Sequence, residues 1–140
     1  MLLHLHLMAL APDSLIARKR GEAEAVVSLD NDLHGRAASL LVDDLFTHGA
    51  HLVALVALEG RLAERAGVVL PAPTFAESTG TFVNNEGRAQ RSFSVLAPED
   101  ETQEEWRWLR DLMERLGRQE GRGWHDVDDV TAALEMDLPQ

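Results

Sequence analysis

"HLVALVALEGRLAERAGVVLP", residues 51–71, decides the fold class of this 140-residue chain. Its first eight residues are almost all apolar, which is how a strand covered on both faces reads. "RLAER", 61–65, has room for about a turn and a half of helix. "GVVLP", 67–71, is a second β-rich apolar run, closed by Pro71. Buried strands separated by helices at this spacing imply right-handed crossovers and a parallel arrangement.

The same pattern extends upstream. "AEAVVSLD", 23–30, places Val26, Val27 and Leu29 in another short apolar strand. Between it and residue 51, Leu33, Ala37, Leu40, Leu41, Leu45 and Phe46 recur at helical spacing, with Asp30, Asn31 or Asp32 as N-cap and Gly49 as C-cap. Pro12 and Asp13 open a further helix through Leu15 and Ile16 that stops near Gly21. The expected order is helix, strand, helix, strand, short helix, strand: an α/β domain, part of a Rossmann-like three-layer arrangement with a small parallel sheet. Strands 25–29, 51–57 and 67–70 should lie side by side. A sheet this small has exposed edges, which another segment or subunit must cover.

After Pro71 the texture changes. Residues 72–96 show no helical period and read as a long loop followed by two short extended segments around "NNEG", where Asn and Gly accept the positive φ of a tight turn. From Glu99 the chain turns helical. Trp106, Leu109, Met113 and Leu116 form one stripe, with Glu101, Glu104 and Glu105 in the first turn, where the helix dipole favours acids. "GRQEGRG" breaks that helix. A last one runs from Asp126, with Val127, Val130 and Leu134 on one face. The expected division is an α/β portion over 1–96 and an acidic helical segment over 97–140 packed on it.

Composition narrows the chemistry. Hydrophobic residues make up 45%, enough for a globular core. There is no cysteine, so no disulfide, thiolate metal site, iron–sulfur cluster or cysteine nucleophile arises from these residues. The net charge of −11 argues against nucleic acid as a partner. Residues 97–140 hold five arginines against thirteen acids, and residues 1–96 eight bases against eleven acids. The acidic tail reads as a solvated helical face. The first apolar run, "MLLHLHLMALA", is too short for a membrane span of roughly 20 residues. "ALA" at 9–11 imitates an export cleavage site, but the basic residues follow the apolar run instead of preceding it.

His4 and His6 share a strand face without a third ligand, and His48 and His51 flank a turn. Adjacent Asp43–Asp44 and Asp128–Asp129 diverge on a helix, so capping and solvation explain them better than a carboxylate pair. No nucleophile elbow and no glycine-rich phosphate loop occurs. The three tryptophans read as anchors of helices.

One constellation is different. "TGTFVNNEGRAQR", 79–91, gathers Gly80, Thr81, Asn84, Glu86, Gly87 and Arg88, with Gln90 beside them. The glycines give backbone freedom and close approach. Thr81, Asn84 and Gln90 offer neutral donors and acceptors, and Glu86 and Arg88 can pair with each other or with a ligand. The loop follows a strand of a parallel sheet, where such folds bind ligands. A polar hairpin held by asparagine side chains and one ion pair is the competing reading.

The stretch 66–91 resembles the molybdopterin oxidoreductase superfamily. Val68, Val69, Leu70 and Pro71, then Phe75 and Glu77, then Gly80, Thr81, Phe82, Asn84, Glu86, Gly87, Arg88 and Gln90 follow its pattern, with Gly67 in place of the usual Asp. "FVNNEGRAQR", "VVSLDNDLHGRA" at 26–37 and "EEWRWLR" at 104–110 are most similar to the large G subunits of bacterial NADH-quinone oxidoreductase, respiratory complex I, over roughly residues 12–135. The resemblance implies a fragment of a much longer subunit, in the peripheral arm on the cytoplasmic side of the inner membrane. Its partners would be the rest of that subunit and other peripheral-arm subunits. The parent's iron–sulfur clusters would lie outside this chain, which would bind no cofactor and carry no catalytic residue itself. The alternative is a portion of a molybdopterin-dependent enzyme such as a formate dehydrogenase, in which the 80–91 loop would help hold a pterin cofactor.

Overall fold

A computed structural model describes residues 25–29, 43, 51–99, 101–119 and 121–137. The chain divides into two compact units, Met1–Leu70 and Pro71–Gln140. The change to an acidic, helical composition at residue 97 therefore falls within the second unit.

In the first unit, β1 (Ala25–Leu29), β2 (His51–Val56) and β3 (Val68–Pro71) form a parallel sheet in the order β1-β2-β3. β1 pairs in register from Ala25 against His51 to Leu29 against Leu55. The expected strands and their parallel sense are present. β2 is central. Leu52 and Ala54 point to one face and Leu55 to the other, and all three are buried. Between β2 and β3 runs α1 (Arg61–Arg65), which drops Leu62 onto Leu52 and Ala54, with Val26, Val56 and Ala66 packed around them. Arg65 forms an ion pair with Asp43, which is helical. The helices expected over 12–21 and 31–48 otherwise lie outside the described residues.

β3 departs from its reading as a buried strand. Val68 and Val69 are 49% and 45% exposed. β3 is an edge strand, so apolar composition alone could not tell a covered edge from an open one.

The second unit begins with a loop built on Thr74 and Glu77. The Glu77 carboxylate accepts hydrogen bonds from the Thr74 amide and hydroxyl, at 2.8 and 2.7 Å. The Glu77 amide donates back to the Thr74 carbonyl. These bonds hold the Glu77 carboxyl below its ordinary pKa, the Thr74 hydroxyl being the main cause. β4 (Gly80–Val83) and β5 (Ala89–Ser92) then form an antiparallel hairpin.

α2 (Glu105–Arg115) starts later than its acidic pattern suggested, and Glu101 lies outside it. The reason is Glu104. Its carboxylate is committed to the Thr79 amide, the Trp106 indole and the Arg107 guanidinium, which fixes the entry into the helix. Trp108 donates its indole N–H to the Pro71 carbonyl, as the anchoring reading expected of a tryptophan. The helix ends at Gly117, φ 74°, with Arg118 donating to Met113 and Gly117 to Glu114, the paired bonds that close a helix through a left-handed glycine.

α3 (Val127–Asp137) opens with a reciprocal cap. Asp126 accepts from the amides of Asp128 and Asp129, and Asp129 reaches back to those of His125 and Asp126. The Asp128–Asp129 pair is thus a capping feature, and D-x-x-D before an apolar run was its sequence signature. The backbone donors, His125 first, hold the Asp129 carboxyl below its ordinary pKa. A depressed pKa means that the group stabilises the fold above its unfolded pKa and loses that contribution as pH falls through the lower folded value. The His125 and Asp126 amides should therefore lose hydrogen-exchange protection as the solution is acidified below the ordinary aspartate range, and Asp129→Asn should abolish most of that pH dependence.

Candidate functional site

The hairpin brings the six candidate residues into one element but not into one site. Gly80 and Thr81 sit at its base, paired with Ser92 and Arg91. Asn84, Glu86, Gly87 and Arg88 form its tip, roughly 10 Å away at the rise of a strand.

The tip is a three-residue loop of the kind that closes with a left-handed glycine. Gly87 donates to the Asn84 carbonyl at 2.9 Å, completing a β-turn, and has φ 77°. Asn84 and Arg88 then pair through the Asn84 amide and the Arg88 carbonyl. The Asn84 side chain does the rest: its Oδ1 accepts the amides of both Glu86 and Arg88, at 3.0 and 2.9 Å. Each residue type has a local reason to be there. Asn84 supplies an acceptor two residues from its target, and Gly87 supplies the positive φ.

Glu86 and Arg88 do pair, but weakly. Their nearest charged atoms are 3.9 Å apart and both side chains are more than 70% exposed. An exposed pair of this kind is worth about 0–1 kcal/mol. Thr81 and Gln90 are exposed as well. Further along the hairpin, Arg91 binds Asp128 of α3 at 2.6 Å and lies over the Phe93 ring, so it ties β5 to the last helix.

A pterin cofactor needs a concave set of free donors for its phosphates and ring edge. The tip offers the reverse. The amides of Asn84, Glu86, Gly87 and Arg88 all donate within the loop. The charged side chains point into solvent. The residues present therefore do not form a cofactor cradle by themselves. Among the described residues, no group of three His, Asp or Glu is placed to hold a metal ion, and no helix is long and apolar enough to cross a membrane. His51, at the start of β2, is exposed. His4, His6 and His48 lie outside the described residues.

Sequence reading passed over two features. Glu104 organises three partners, and no motif announces it. The other is a cleft at the end of α2 lined by Arg110, Glu114, Arg118, Arg122, Trp124 and His125. A run of arginines in an otherwise acidic tail was its signal.

The residues that build β1 to β5 and α2 fall within the match to a known family. The Molybdopterin oxidoreductase family matches residues 19–115, most of the chain, and the chain belongs to it. Within that family it is similar to the G subunit of NADH-quinone oxidoreductase from several bacteria. It is 40% identical over 131 residues to that subunit from Shewanella oneidensis, covering 88% of this chain. It is 37% identical over 133 residues to the one from Escherichia coli K12, covering 91% of this chain. The Pseudomonas fluorescens counterpart is 40% identical over 125 residues, covering 86%. In each comparison the match covers 14% of the relative's length.

Proposed function

We propose that this chain is a scaffolding piece of the large peripheral-arm subunit of an NADH-quinone oxidoreductase. In this reading it positions neighbouring segments and carries no electrons. The observation that supports it most is the exterior of the second unit. Phe75, Phe82, Val83, Phe93, Val95 and Leu96 are 56–79% exposed, all within one stretch around the hairpin. Single exposed apolar side chains are ordinary, but six so close in sequence, with Phe82 and Val83 on opposite faces of β4, support a hairpin region that is covered in its working state. Ala72, 5% exposed, and its neighbour Pro73 are the buried apolar residues described in the second unit. Relatives roughly seven times longer supply the obvious cover: the rest of the same subunit, then other peripheral-arm subunits.

The electron carriers lie elsewhere in the assembly, since no cysteine is present to hold a cluster. In this reading the chain belongs peripherally on the cytoplasmic face of the inner membrane, a location supported by its likeness to the NADH-quinone oxidoreductase G subunits. Asn84 and Gly87 shape the hairpin, and Glu86 and Arg88 act as its polar tip.

The test is elemental analysis and absorbance of the chain purified from cells grown with molybdate. The expected result is no stoichiometric molybdenum and no pterin absorbance. Molybdenum at one equivalent would favour an enzyme domain of the formate dehydrogenase kind and overturn the scaffold reading.

A further inference from the structure

The cleft at the C-terminal end of α2 belongs to neither the hairpin nor the apolar surface. Residues 115–125 carry Arg115, Arg118 and Arg122 against a single acid, Glu120, in a chain of net charge −11. The fold gathers Arg118 and Arg122 with Arg110 around one cleft. Gly117 turns the chain back, and Gly121 is buried against α2, where an added Cβ would come within 2.8 Å of Met113 Cε and 3.3 Å of Arg110 Cγ. Arg110 donates to the Trp124 carbonyl at 3.3 Å and is braced by the Asp111 carboxylate at 2.8 Å. The cleft wall is therefore fixed in place. Arg122, exposed on the loop that lines it, makes no ion pair among the described residues.

We propose that this cleft docks an acidic segment of a neighbouring protein, with Arg122 as the principal anchor and the Trp124 ring as a platform beside it. Guanidinium forks match carboxylates in geometry as well as charge. The setting selects against larger polyanions. Glu114 stands in the cleft, and the chain carries a net charge of −11 with Asp126, Asp128 and Asp129 directly after His125 in sequence, so a nucleic acid backbone meets repulsion. A peptide brings one or two carboxylates together with backbone N–H groups that Glu114 can accept. This inference stands apart from the subunit assignment, because it needs only the cleft.

The full 140-residue chain is titrated calorimetrically with a blocked hexaglutamate peptide at low ionic strength, about 20 mM salt, where exposed charge pairs are least screened. The expected result is saturable binding that weakens by about tenfold or more in Arg122→Glu and to a smaller extent in the neutral Arg122→Gln. Arg115→Glu makes the same charge change on α2 outside the cleft and should bind nearly as the parent does. Absence of saturable binding would overturn the proposal. So would equal losses in Arg122→Glu and Arg115→Glu, which would show diffuse attraction. Displacement of the peptide by an equal concentration of orthophosphate would also overturn it, by showing a small-oxyanion site.

Discussion

Leu55→Ala should cost this chain about 2–5 kcal/mol, the range for truncating a fully buried leucine. Leu55 is 1% exposed at the C-terminal end of the central strand, beside Leu29 of β1. It faces away from the Leu52–Ala54–Leu62 cluster, so α1 cannot move in to fill the space. The control is Val69→Ala on the edge strand. That side chain is 45% exposed and sheds much less area from water, so its loss should be well under half as large. Denaturant melts of the two variants would check this. Equal losses would mean that β3 is as buried as β2 and that the sheet is misdescribed.

Gly87→Val should be the most damaging single change in the hairpin, at about 1–3 kcal/mol. Space is not the cause, because nothing lies within 4 Å of an added Cβ. The cause is φ 77°, which a β-branched side chain reaches only under strain. Gly87→Asn should cost far less, since Asn tolerates the left-handed region. Glu86→Ala should fall within about 1 kcal/mol of the parent, because its ion pair is long and exposed. The order Val, then Asn, then the Glu86 variant is itself the prediction, read by amide exchange across Phe82–Gln90 and Val83–Ala89.

The parallel sheet was legible because burial on both faces leaves an unbroken apolar run, as in "HLVALV", and because a helix-length crossover excludes a hairpin. The tip of the hairpin was legible because Asn and Gly have specific backbone roles. What composition could not convey was coverage. "GVVLP" reads the same whether a neighbour lies on it or not, and β3 is half open. Polar tethers were equally hidden. Glu104 looks like one more acid at a helix start, and its three partners include Thr79, 25 residues away. The spacing of Trp106, Leu109, Met113 and Leu116 predicted one apolar stripe on α2, but no residue of that helix is buried and Leu116 is 69% exposed.

The central claim is that the 80–91 hairpin shapes the protein and takes no part in its chemistry. The most direct measurement is NADH-quinone oxidoreductase activity per intact complex, in complexes carrying this segment with Asn84→Ala or Gly87→Val. Asn84→Ala frees the Glu86 and Arg88 amides and should lower hairpin stability by about 1–2 kcal/mol. The account predicts less assembled complex, with activity per complex unchanged. Full assembly with a large drop in activity per complex would contradict it.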